Sequence, residues 1–254
     1  MPSRRLFGVL CGLLALLPVQ LAAQDMDGIR AEHANSSNRA FAVSSPVRTG
    51  PTALAFQVAD GQCAGNRSYN DCANGRERSE IVDRAPVSTD TEQWYAFSVF
   101  IPSSTRPIDP ANTILAQWQD TRGSGEITLG FALYREGLEL TQDDPRTRQT
   151  DDMNPPRPMV MEIVVPPSRL YDQWQDIRVQ AVWSAGPAGL INVWINDRLV
   201  HSHRGPNLNR DVAPSFKFGV YRSGLGRIGR PVPTQLVVFD HIRRGATEAD
   251  VLIR

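Results

Sequence analysis

The chain has 254 residues, and its 27 basic and 27 acidic side chains cancel to a formal charge of zero at pH 7. That balance excludes a global field able to draw in nucleic acid or an anionic membrane, and neither is expected as a partner. The length suits one sizeable core, and no linker, low-complexity tract or internal repeat divides it.

Taken in order, Arg4 and Arg5 precede the apolar run Leu6 to Leu17, and the small residues Ala22 and Ala23 follow where a signal peptidase would cut. Residues 1–23 are therefore read as a signal peptide and 24–254 as a single domain, secreted or periplasmic. A membrane anchor is the competing reading. The run is short for a bilayer span, and Gln24, Asp25 and Asp27 open polar sequence without a stop-transfer pattern. Once Cys11 leaves with the signal, Cys63 and Cys72 remain as an even pair. In an oxidising compartment they are expected to form a disulfide around a short loop rich in Gly, Asn and Asp. On the chain-entropy model this contributes roughly 2–3 kcal/mol. No His or further Cys lies close enough in sequence to suggest a metal site there.

Short β-rich segments then recur between clusters of Pro, Gly, Asn and Asp, and no helical period is sustained. The expected strands are Ala53–Ala59, Arg76–Asp83, Gln93–Ile101, Thr113–Gln119, Glu126–Tyr134, Leu138–Gln142, Val160–Val165, Gln175–Ser184, Leu190–Val200, Ser215–Arg222 and Gln235–Arg243. Thr247 to Asp250 reads as a capping box opening one terminal turn. Asp143 to Pro158, rich in proline and charge, reads as a loop of the kind that often carries function.

Alternation divides three strands into faces. Phe216, Phe218 and Val220 oppose Lys217, Gly219 and Tyr221; Ile114, Ala116 and Trp118 oppose Leu115, Gln117 and Gln119; Arg76, Arg78 and Glu80 oppose Ser79 and Ile81. A polar outer face is ordinary for an antiparallel sheet, yet Arg, Glu, Gln, Lys and Tyr over a concave sheet would also form a groove for a carboxylated sugar chain. Lys217 is the one lysine, the other basic residues being arginines whose forks suit carboxylates. Genome composition is the cheaper explanation of that bias.

These residues resemble a family. Arg78-Ser79-Glu80-Ile81, Gln117-Trp118-Gln119 and Phe216-Lys217-Phe218-Gly219-Val220-Tyr221 resemble, in order, the R-(S/T)-E-L, Q-(I/V)-H and Y-F-K-x-G-(V/I)-Y motifs of alginate-lyase-type jelly rolls. Gln173-Trp174-Gln175-Asp176, Val182-Trp183-Ser184, Val193 to Asp197, Tyr221-Arg222-Ser223 and Phe239 to Arg243 look like the wider group that contains glucuronan lyases and heparin lyase I. The resemblance runs from about residue 30 to the end. It implies an all-β jelly roll, a concanavalin A-like sandwich of two antiparallel sheets with a concave groove. The implied activity is a polysaccharide lyase acting on an acidic, uronic-acid-containing polymer of glucuronan or alginate type. A monomer is expected.

Such an enzyme removes the proton beside the C6 carboxylate and expels the oxygen at C4. It must therefore stabilise the developing enolate-like charge and supply a base and an acid. The resemblance implies Tyr221 as base, acid or both, with nearby cations favouring its phenolate. It also implies Arg78 and Gln117 on the carboxylate, Glu80 orienting Arg78 or touching sugar hydroxyls, and Lys217 and Arg222 holding substrate. The bland alternative is an Arg78–Glu80 ion pair of about 0–1 kcal/mol beside an ordinary sheet tyrosine.

One departure matters. The family's motif has a histidine where this chain has Gln119, which can bind substrate by hydrogen bonds but exchanges no proton near neutral pH. Three readings stay open: tyrosine makes both transfers, His201 or His203 enters from the end of its strand, or the domain only binds carbohydrate, with tryptophans stacking on sugar rings. A glycoside hydrolase would need a second carboxylate beside Glu80, for which Glu126 and Glu162 are the nearest candidates. The chemistry requires no cofactor. A structural calcium ion is a candidate, with oxygen ligands such as Asp240 and Glu32.

Overall fold

The computed structural model of the protein describes residues 26–34, 39–63, 65, 70–120, 125–146 and 158–253. The expected signal, and most of the loop expected from Asp143 to Pro158, lie outside the described residues. Two seven-stranded sheets pack face to face, and every ladder between neighbouring strands is antiparallel. The first runs, in spatial order, through β1 (Ala31–His33), β4 (Glu77–Asp83), β13 (Ser215–Ser223), β6 (Asn112–Gln119), β7 (Ile127–Tyr134), β8 (Gly137–Asp143) and β9 (Pro158–Val165). The second runs through β12 (Arg198–Arg204), β11 (Leu190–Ile195), β10 (Trp174–Val182), β5 (Glu92–Phe100), β14 (Gln235–Gly245), β3 (Ala53–Val58) and β2 (Phe41–Val43). This is the expected all-β jelly-roll sandwich. Among the described residues no helix is long and apolar enough to cross a membrane.

The period-2 patterns produce the layers. Along β10, Gln175, Ile177, Val179 and Ala181 are buried while Asp176, Arg178 and Gln180 between them are partly exposed. The two inner faces meet in an aromatic spine. Trp118 stacks on Phe216 with centroids 4.7 Å apart, Tyr95 meets Trp118 edge-on at 5.3 Å, and Phe97 lies 5.7 Å from Phe239. Each such pair adds about 0.5–1.5 kcal/mol beyond its area burial. Gly219 permits the close approach of β13 to its neighbours. It sits at φ +133, and a Cβ there would lie 2.3 Å from the Ser79 carbonyl oxygen and 2.7 Å from the Phe56 ring. Only glycine fits such a position.

Three strand expectations are corrected. Leu190–Val200 is two strands, β11 and β12, joined at Asn196 and Asp197, whose φ angles of 50 and 62 make the two-residue turn of a tight hairpin. The strand β2 was not anticipated, because three residues are too few to show alternation. In β6 the register shifts between Ile114 and Ala116, so Leu115 joins the core and Ile114 moves to the face opposite, beside Tyr221. A bulge inserts one extra residue and reverses the alternation beyond it. Near the C-terminus, Thr247 and Asp250 do form the expected capping box.

Candidate active site

Three central strands of the first sheet carry the site. In the register of β13 with β4, Tyr221 lies opposite Arg78 and Gly219 opposite Glu80, while Lys217 lies opposite Gln117 of β6. Residues directly opposite share a face. Arg78, Glu80, Gln117, Lys217 and Tyr221 are thus gathered on the outer face, and Phe216, Phe218 and Trp118 point inward.

The polar side chains form two connected runs. Arg78 places Nε and Nη2 on the two carboxylate oxygens of Asp71, each at 2.7 Å, and its Nη1 donates to Glu80 at 3.2 Å. Glu80 also accepts from the Gln117 amide at 2.6 Å. Separately, Lys217 Nζ donates to Gln119 Oε1 at 2.5 Å, and the Gln119 amide donates to the Gly125 carbonyl at 2.7 Å. The Arg78 guanidinium lies 4.3 Å from the centroid of the Tyr221 ring, a cation–π geometry. Among the described residues nothing hydrogen-bonds the Tyr221 hydroxyl, and the buried Gln117 Oε1 has no partner. The Arg78–Glu80 pair is therefore present, but within a larger array.

Burial sets the electrostatics of this face. For Lys217 it penalises the ammonium and lowers the pKa below 10.5, only partly opposed by Glu80. For Tyr221 burial raises the pKa above 10 and outweighs the opposing charges of Arg78 and Arg76. The expectation of a favoured phenolate is corrected: a side chain 9% exposed loses more from desolvation than its cations return. Burial also acts against the charge of Arg78, but the hydrogen bonds it donates to Asp71 and the charges of Glu80 and Asp71 win, so its pKa is raised.

Several expected residues lie elsewhere. Arg222 follows Tyr221 on the strand and so points inward, where it is fully buried. It pairs with Glu77 and donates to the carbonyls of Pro233 at 2.7 Å and Ala59 at 2.9 Å. It lies inside the sandwich, on the side of β13 away from the Tyr221 face. His201 stands on the edge strand β12 of the other sheet and meets the buried Gln142 at 2.7 Å across the sandwich, and His203 meets the Pro206 carbonyl at 3.1 Å. Neither histidine joins the Tyr221 face, because β12 belongs to the opposite sheet. The tryptophans do not line it either. Trp118 and Trp183 are wholly buried, Trp94 stacks on Trp194 at 5.6 Å, and Trp174 packs on Phe100 at 5.5 Å, all of these but Trp118 on the second sheet or just beyond its end.

The calcium ligands do not fit the ion. Asp240 accepts three backbone N–H groups, from Arg48 at 2.7 Å, Thr49 at 3.0 Å and His241 at 2.7 Å, while Glu32, in the other sheet, pairs with Arg84. Among the described residues no three His, Cys, Asp or Glu side chains are grouped to hold a metal. Asp71, by contrast, was missed. It lies in a loop, where no periodicity marks it, and its one sequence signal is its place beside Cys72, seven positions before Arg78. Cys63 and Cys72 are joined as expected, with Cα atoms 5.1 Å apart.

A family model described as polysaccharide lyase matches residues 22–243. The chain belongs to the polysaccharide lyase family. Among solved structures, this lyase is similar to the endo-β-1,4-glucuronan lyase of the fungus Trichoderma reesei, with a TM-score of 0.66 and 19% identity over 90% of this chain and 96% of that one. It is also similar to alginate lyase A1-II′ of polysaccharide lyase family 7, with a TM-score of 0.53 and 12% identity over 81% of this chain and 82% of that one. The glycoside hydrolase family 131 catalytic domain of Coprinopsis cinerea shares the fold, with a TM-score of 0.53 and 11% identity over 82% and 75%. At these identities the likeness speaks for the fold. No curated protein sequence matches the chain.

Proposed function

We propose that this lyase is exported and cuts an acidic β-1,4-linked uronic acid polymer, of glucuronan or alginate type, by β-elimination, with Tyr221 carrying the proton. The observation that carries the reading is the Tyr221 hydroxyl, without a hydrogen-bond partner among the described residues and set on one sheet face among Arg78, Gln117 and Lys217. Export is supported by the Cys63–Cys72 disulfide, which belongs in an oxidising compartment.

The proposed steps use the groups gathered on this face. The Tyr221 phenolate takes the proton from C5, and the electron pair left behind forms the C4–C5 double bond as the C4–oxygen bond breaks. The departing oxygen takes that proton back from Tyr221. Lys217, through its ammonium, and Gln117, through its second amide hydrogen, face the C6 carboxylate and hold the charge that develops during proton removal. Preorganised donors of this kind contribute several kcal/mol. Arg78 is committed to Asp71 and Glu80 and acts from behind the tyrosine ring.

One proton carrier on one face has a stereochemical consequence. Tyr221 can serve both atoms only if the hydrogen on C5 and the oxygen on C4 project from the same side of the sugar. That holds for β-glucuronate and β-mannuronate and fails for α-guluronate. Glucuronan and mannuronate-rich alginate should therefore yield the ultraviolet absorbance of an unsaturated product, and guluronate-rich alginate should yield little. Absence of that absorbance on every uronate polymer would refute the reading. Reducing ends without absorbance would instead indicate a hydrolase, and binding without product a carbohydrate-binding domain.

The pH dependence has a definite sign. The reaction needs Tyr221 deprotonated and Lys217 protonated, and burial moves the first pKa up and the second down. The phenolate fraction grows with pH, so kcat/KM should rise by roughly tenfold per unit for as long as Lys217 keeps its proton and level off once Lys217 loses it. An ascending limb centred below pH 7 would hand the first proton transfer to some other group.

A further inference from the structure

Asp71 is among the most constrained side chains on the site face, and the chemistry above does not use it. It is 1% exposed, its carboxylate is filled by the Arg78 fork at 2.7 Å twice, and it lies next to Cys72 of the disulfide. Its backbone is held too. The Asp71 carbonyl accepts the N–H of Arg76 at 2.9 Å and of Asn74 at 3.2 Å, which closes a tight turn leading directly into β4. Two anchors therefore fix this carboxylate, the disulfide on one side and the turn on the other.

The fork decides what Arg78 can do. A guanidinium can bind a carboxylate bidentately along its Nε–Nη2 edge or along its Nη1–Nη2 edge, and here Asp71 occupies the edge formed by Nε and Nη2. A third N–H goes to Glu80. With that edge filled by Asp71 and Nη1 engaged by Glu80, the plane of Arg78 is held over the Tyr221 ring at 4.3 Å. Without Asp71, the same flexible side chain would swing toward any free carboxylate, including the one on the substrate.

We propose that Asp71 is a positioning residue: held by the Cys63–Cys72 loop, it clamps Arg78 over the Tyr221 ring and keeps that guanidinium from seizing the substrate carboxylate. The cysteine pair then supports catalysis as well as stability. This rests on the lyase reading for its kinetic consequence, while the clamp itself is a property of the fold.

The test uses the whole mature protein and two readouts. The first is the NMR signal of the Arg78 Nε–H, identified by its absence from Arg78→Lys. A guanidinium clamped by a buried carboxylate keeps a slowly exchanging Nε–H, so the signal should be present in the wild type, lost in Asp71→Asn and weakened in Cys63→Ser/Cys72→Ser. The second is kinetics on whichever uronate polymer is cleaved. Asp71→Asn should lower kcat by about 100-fold, the effect of a small misplacement at a reacting group, while KM changes by less than about threefold. Asp71→Glu, which keeps the carboxylate, should recover part of kcat. A purely structural role would lower the melting temperature of all these variants and leave kcat of the folded protein intact, which would overturn the proposal. So would a protected Arg78 Nε–H that survives Asp71→Asn. A clamp seen by NMR in a protein that cleaves no polymer would sink the lyase reading and leave the clamp standing.

Discussion

Tyr221→Phe should leave a folded protein whose lyase rate is lower by about 1,000-fold or more. A single general acid or base contributes roughly 100- to 10,000-fold, and in the proposed mechanism one hydroxyl serves both proton transfers. The substitution is clean because among the described residues nothing hydrogen-bonds that hydroxyl, so its loss orphans no partner. The ring stays in place under the Arg78 guanidinium, 4.3 Å from its centroid. Stability should therefore change by no more than about 0.5 kcal/mol. KM should hold within about threefold, since the substitution leaves Lys217 and Gln117, the proposed carboxylate partners, in place. The measurement is initial rate by ultraviolet absorbance over a range of polymer concentrations, with a urea titration alongside. A variant retaining a tenth of the wild-type rate would move the proton chemistry to Lys217 or Glu80, buried titratable groups that share the face.

Arg222→Met should do the opposite: cost about 3–5 kcal/mol of stability and spare the chemistry of whatever remains folded. Arg222 and Glu77 are both fully buried, and the guanidinium also satisfies the carbonyls of Pro233 and Ala59. Removing it strands those two acceptors and part of the Glu77 charge in a dry interior, and an uncompensated buried charge is costlier than a lost ion pair is valuable. Glu77 keeps some support, from the Gly61 N–H at 2.7 Å and from Arg230 at 3.0 Å. The loss should fall short of complete unfolding for that reason. Changing both members, Arg222→Met with Glu77→Leu, should recover part of the loss, as replacing a buried pair by apolar groups often does. The urea midpoint should drop with kcat and KM of the folded protein unchanged. A raised KM at unchanged stability would return Arg222 to the substrate groove, against its burial.

These two neighbours, Tyr221 and Arg222, mark how far a sequence can be read. Period-2 alternation put Lys217 and Tyr221 on one face and Phe216 and Phe218 on the other, and the structure agrees. The same alternation, applied to one more residue, already turns Arg222 inward; family resemblance drew it toward the substrate. In β6 the alternation placed Gln117 and Gln119 with the polar face, as observed, but failed at Leu115, where a bulge reverses it. A bulge is set by the pairing of two strands and leaves no mark in either alone.

Local chemistry along the chain was thus enough for the all-β class, most strand positions, the disulfide and the polar face that holds Arg78, Glu80, Gln117, Lys217 and Tyr221. Each of these depends on the pleat, on turn residues or on a pair of cysteines, which are properties of a segment and its immediate neighbours. Contacts between distant segments settled the rest: Asp71 on the Arg78 fork, Arg222 inside with Glu77, His201 on the far sheet against Gln142, and the direction in which the Tyr221 pKa moves. Burial and partner choice arise only when strands far apart in sequence are laid side by side, so no reading of single strands could have supplied them.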